Sequence, residues 1–125
     1  MSYQSPLGRA RGLGSAKEGV EHFWVQRVTA VALVPLALWF VFSVARLHGG
    51  DYYMVRHFVA APSVAVTLVL FIIAALYHSA LGIQVVIEDY VTSEGAKIVS
   101  LLLVKFVHWI VGAAAVFAVL KTALT

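Results

Sequence analysis

Three apolar stretches alternate with short polar ones along this chain. From Phe58 to Ile87, thirty residues pass without an Asp, Glu, Lys or Arg. About 20 apolar residues suffice to carry a helix across a bilayer, so this run predicts a membrane-spanning helix. Val28–Ala45, preceded by Arg27, predicts another, and Ile98–Leu120 a third that only Lys105 and His108 interrupt. With their interfacial flanks, the three spans are expected over residues 24–46, 60–88 and 95–121 of an all-α membrane protein.

The polar positions mark the connections. Residues 1–18 are rich in Gly, Ser and Arg and are expected to be mostly irregular, ahead of a single three-helix domain over 19–125. Phe23 and Trp24 are interfacial anchors, and Pro35 removes one backbone donor within span one, where it is expected to kink the helix. Arg46–Asp51 forms a polar turn, Tyr52, Tyr53, Arg56 and His57 mark re-entry, and Pro62 suits the first turn of span two. The link Glu88–Glu94 is short, which makes spans two and three antiparallel neighbours, and Ser93 is the expected cap of span three.

Composition narrows the class further. The 125 residues are 62% hydrophobic and 12% charged, too little polar surface for a soluble domain. Without cysteine, the chain can hold neither a disulfide framework nor a thiolate-ligated cluster. A net charge of +3 would hint at nucleic acid in a soluble protein, but here the cations flank apolar spans and no nucleic-acid partner is expected. Arg9, Arg11, Lys17, Arg27 and Lys97 lie towards one side; Arg46, Arg56 and Lys121 lie towards the other. Since Lys and Arg favour the inner face, the N-terminus is placed in the cytoplasm. The segment before span one contains an acidic, amphipathic stretch and no small-residue cleavage site, unlike a secretory signal.

The chemistry-bearing residues cluster at the end of span two. His78 is an ionisable group within the run, and hydrocarbon penalises such a group unless something pairs with it. At 100° and 1.5 Å per residue, Asp89 falls within about 20° of His78 around the helix and roughly 16 Å further along. Gly82, one turn after His78, admits a flat ligand or a second backbone. Taken alone, His78 fits either a hydrogen bond to another helix or ligation of haem iron through one ring nitrogen. Asp89 and Tyr90 likewise fit a polar helix end with an aromatic anchor, or a donor and proton relay for a quinone.

His78, Gly82, Gln84, Asp89, Tyr90 and Val91 stand at spacings that resemble the second helix of the smaller hydrophobic membrane-anchor subunits of succinate dehydrogenase, respiratory complex II. Gly19-Val20-Glu21-His22-Phe23, continuing through Arg27-Val28-Thr29-Ala30-Val31-Ala32-Leu33, is similar to the family's lead into its first helix. The resemblance implies that His78 ligates haem b, with the second axial ligand supplied by a partner, the larger cytochrome b anchor. It implies that Tyr90 contacts ubiquinone beside Asp89, and that Arg27 meets a haem propionate. Glu21-His22 departs from a His-Asp pattern, and no propionate role is carried onto His22. FAD and iron-sulfur clusters are implied on a flavoprotein and an iron-sulfur subunit, so that no succinate chemistry falls to this chain. Because the resemblance continues almost to the start, a bacterial inner membrane is preferred to a mitochondrial one.

The alternatives are the anchor of a fumarate reductase or another haem b dehydrogenase, and a non-redox structural or channel-like membrane protein. Lys105 and His108 match no motif of the family; interhelical hydrogen bonding or a bound lipid is expected there. Trp39, Phe40, Phe42, Phe71 and Phe106 read as packing or lipid-facing residues.

Overall fold

A computed structural model of the chain describes residues 5–11 and 18–125. Five helices follow one another: α1 (Pro6–Ala10), α2 (Glu18–Arg46), α3 (Tyr52–Ala60), α4 (Pro62–Tyr90) and α5 (Glu94–Leu124). Helices α2, α4 and α5 are each long and apolar enough to span a bilayer. Their many valines favour strands in water, but in hydrocarbon the backbone must satisfy its own hydrogen bonds and helix is the local solution.

Helix α2 begins six residues before its expected limit, α4 is shifted two residues towards the C-terminus, and α5 exceeds its limits by one residue at its start and three at its end; interfacial residues such as Glu21 and Phe23 extend helices beyond the apolar runs. The expected irregular N-terminus instead contains the short helix α1, which opens on Pro6, a residue suited to a first turn. Positions 1–4 and 12–17, including the cation Lys17 used for orientation, lie outside the described residues. Pro35 does not end α2, which runs on to Arg46.

The polar turn after α2 depends on Gly49, whose φ of +79° few side chains tolerate. Asp51 then caps α3, its Oδ1 accepting the Met54 N–H at 2.8 Å. The re-entry segment is thus a separate nine-residue helix. It breaks at Ala61, held at φ −64° and ψ 125°, since a residue before proline is pushed out of the helical region. Pro62 opens α4 as expected. Ser93 does occupy the N-cap of α5, but its side chain makes no capping hydrogen bond, so the cap is one of position only.

Helix α4 is central. It packs against α2 on one side and α5 on the other, whereas α2 and α5 do not meet. Helix α3 lies against α4 and α5, and Arg56 Nη2 donates to the Thr125 carbonyl at 2.8 Å. The rings of Phe40 and Phe71 stack at 4.8 Å across the α2–α4 seam. Between α4 and α5 a groove of about 860 Å³ runs past Leu76, Ala80, Gln84, Lys105, His108 and Gly112.

Three helices in an open row enclose almost nothing: among the described residues only Ala65 is buried. Lipid tails are as apolar as these side chains, so close packing rather than water exclusion holds the row together. Removing one ring of a stacked pair therefore weakens the seam directly. Phe40→Ala is expected to cost about 1 kcal/mol, read as an earlier midpoint in a detergent-denaturation titration; an unchanged midpoint would show that the stack does not join α2 to α4.

Candidate functional site

His22, Gln26 and Thr29 fall at i, i+4 and i+7 on α2 and so share one stripe, the stripe that meets α4. Thr29 lies opposite His78, with Oγ1 and Nδ1 separated by 3.0 Å. One turn towards the helix end, Gln26 lies opposite Gly82, where an added Cβ would sit 3.7 Å from the amide nitrogen. The missing side chain of Gly82 lets α2 approach α4 at this level.

The direction of the Thr29–His78 bond follows from the other contacts of the hydroxyl. Oγ1 lies 2.8 Å from the Val25 carbonyl and 3.1 Å from that of Gln26, and both oxygens only accept. The single hydroxyl proton is directed at them. The imidazole must then donate, which makes it the neutral tautomer protonated on Nδ1, with the lone pair on Nε2.

Among the described residues, the only enclosed side-chain N or O atoms without a partner are His22 Nε2 and Gln26 Oε1. His78 Nε2 makes no hydrogen bond with those residues and is not among the enclosed atoms. An imidazole fixed through Nδ1 with a free lone pair on Nε2 is the state that metal ligation needs. The enclosed atoms of His22 and Gln26 point the same way: leaving such groups unpaired costs about 1–3 kcal/mol each, and a group from outside the chain would relieve them.

The structure does not bring the other expected site residues to His78. Arg27 is exposed, its guanidinium carbon 4.9 Å from the centre of the Phe23 ring. Its position is turned by roughly 100° to 160° from the His22–Gln26–Thr29 stripe, away from α4. Asp89 and Tyr90 end α4, both exposed, and Tyr90 retains 81% of its accessible surface. Tyr90 lies roughly 18 Å along the helix from His78. Between them, Gln84 Nε2 donates to Glu88 Oε1 at 2.8 Å.

On the opposite side of α4, His108 is committed within the chain. Its Nδ1 lies 2.8 Å from the Val104 carbonyl and must donate to it, leaving Nε2 to accept the Ser79 hydroxyl at 3.3 Å. Interhelical bonding thus accounts for His108. Lys105 is exposed in the groove beside it, with no ion pair among the described residues. Sequence reasoning misses Thr29, Gln26 and Ser79 as partners. The spacing of His22, Gln26 and Thr29 marks a polar stripe on α2, but not which of its residues faces His78.

Three apolar spans that enclose almost nothing between them define a polytopic membrane protein. The chain belongs to the succinate dehydrogenase/fumarate reductase transmembrane subunit family, whose profile matches residues 1–112. It is 36% identical over 124 residues to the succinate dehydrogenase hydrophobic membrane anchor subunit of Paracoccus denitrificans, covering 99% of this chain and 95% of that one. The subunit of the same name from Rickettsia bellii is 34% identical over 90 residues, 72% of each chain. The succinate dehydrogenase membrane anchor subunit of Reclinomonas americana is 33% identical over 102 residues, 73% of this chain and 78% of its own. No solved structure matches.

The close fit at Gly82 is directly testable. Gly82→Ala places its methyl in ordinary contact and should be tolerated, whereas Gly82→Leu must push Gln26 and with it α2. The larger residue is expected to cost about 1–3 kcal/mol, read as a lower thermal midpoint; equal midpoints for both variants would mean that α2 is not closely seated here.

Proposed function

We propose that this chain is a membrane anchor subunit of a succinate:ubiquinone oxidoreductase in a bacterial inner membrane, and that it holds one haem b jointly with a second anchor subunit. The observation that carries the reading is the state of His78: pinned through Nδ1 to Thr29, with Nε2 left without a partner among the described residues. Family membership supplies the frame. The iron would be held by His78 Nε2 and by a ligand from the partner, and Arg27, on the outward side of α2, would meet a propionate. When bound, the haem supplies a one-electron redox centre. The chain's own part is to exclude water, hold the ring and present the lone pair.

Tyr90 and Asp89 form the second site. Reducing a quinone carbonyl needs a donor on its oxygen and a route for protons from water. A phenol hydroxyl at the membrane edge meets the first need, and a neighbouring carboxylate the second. With the N-terminus in the cytoplasm, the end of α4 faces the cytoplasm too. A FAD-bearing flavoprotein subunit and an iron-sulfur subunit would dock there and deliver electrons from succinate. Succinate itself is never handled by this chain.

His78→Ala is expected to abolish or greatly weaken the haem band in the reduced-minus-oxidised spectrum of the purified complex. His108→Ala should keep it, because both nitrogens of His108 are bonded within the chain. A band unchanged in the first variant would remove His78 as ligand. For the second site, Tyr90→Phe should lower quinone reduction on the order of 100-fold while succinate oxidation with an artificial acceptor survives. Equal loss of both activities would place Tyr90 in assembly and not at the quinone.

A further inference from the structure

Helices α4 and α5 each hold one histidine, His78 and His108, and each donates a proton from Nδ1, but to different acceptors. His108 donates to the carbonyl four residues back on its own helix. His78 reaches across to Thr29 on α2. A histidine bonded to its own helix follows that helix alone, whereas one bonded across a seam has its ring plane set by two helices at once. Thr29 in turn is fixed. Its β-branched side chain has few rotamers in a helix, and its hydroxyl is held by the Val25 and Gln26 carbonyls.

We infer that Thr29 is a positioning residue for His78: its backbone-anchored hydroxyl accepts the Nδ1 proton, selects the tautomer and fixes the ring with its lone pair on Nε2. This inference rests on the proposal that His78 binds haem iron, and it adds a residue to which no role has been given. Three consequences follow from the chemistry. Without the acceptor the ring populates both tautomers, and only one offers Nε2. The ring is free to turn about its bond to Cβ. A ligand imidazole that no longer donates from Nδ1 is also a poorer electron donor to a ferric centre.

The test uses the whole complex with Thr29→Val, which keeps the branched shape and loses the hydroxyl, and Thr29→Ser, which keeps the hydroxyl and loses the methyl. Thr29→Val is expected to weaken haem retention about 10- to 100-fold, to raise the haem midpoint potential and to broaden the low-spin ferric resonance. Thr29→Ser should restore all three. A purely structural role would make Ser, which leaves the larger packing defect, no better than Val. A measurement without haem and without a variant completes the test. Nitrogen NMR of labelled histidine in the complex, assembled under haem depletion, should show the His78 ring protonated on Nδ1 and bare on Nε2. The resonance is assigned by its loss in His78→Ala. Parent-like haem properties in Thr29→Val, or the Nε2-protonated ring in the parent, would overturn the role of Thr29. Haem retained in His78→Ala would instead overturn the ligand assignment, a separate result.

Discussion

Hydrocarbon offers no hydrogen-bond partner, and this constraint accounts for where many polar side chains of the spans are directed. Thr29 bonds back to Val25, Ser43 to Trp39, Thr67 to Ser63, His108 to Val104 and Thr122 to Ala118, in each case the carbonyl one turn earlier. Where water is absent, the nearest acceptor that does not disturb the ladder is the second lone pair of an i−4 carbonyl. Polar side chains are thereby quieted within one helix. The few contacts that cross between helices, Thr29 with His78 and Ser79 with His108, then stand out as the ones that set their relative placement.

The same medium explains why the row of helices stays open. Water would drive three such helices into a closed bundle, but between lipid-solvated surfaces that drive is missing and contact must come from shape. Shape is supplied at Gly82 against Gln26, at Phe40 against Phe71 and at Gly112, where an added Cβ would lie 3.2 Å from Leu76 Cδ1. Nothing comparable joins α2 to α5. The outer faces, with Trp109 at 77% and Val31 at 73% exposure, are left for lipid or other subunits. An open row suits a family whose members include membrane anchor subunits, because it leaves long apolar faces free for contact with lipid or other chains.

How much of this is legible in the sequence divides along the same physical line. Span number, order and approximate limits follow from apolar run length, and so do Pro62 at the start of α4 and the turn before Asp51. Helix ends fall short in such a reading because interfacial residues are polar by composition yet helical by continuity. Helix α3 reads as mere re-entry, since nine residues carrying Tyr52, Tyr53, Arg56 and His57 give no spanning signal; its evidence is the Asp51 cap and the break forced by Pro62. At the site, His78, Asp89 and Tyr90 can be picked out by type and spacing. Their partners cannot. Which residue of α2 faces His78 depends on the register between helices, fixed by small residues and ring stacks that composition does not reveal.

Register also divides the labour along α4. His78 and Ser79 are neighbours in sequence, and 100° of rotation sends one towards α2 and the other towards α5. Their consequences are opposite. The Ser79 bond uses the last free nitrogen of His108 and closes that side chain to ligands; the Thr29 bond uses the nitrogen that ligation does not need and leaves the other open. Further along, the helix reaches the membrane edge at Asp89 and Tyr90, where water can exchange protons. On the proposed reading, one straight helix separates two chemistries with contrary needs. Iron ligation is served by a dry, fixed imidazole, and quinone protonation by a wet, exposed phenol and carboxylate. The roughly 18 Å of helix between them keeps the water that serves one site from reaching the other.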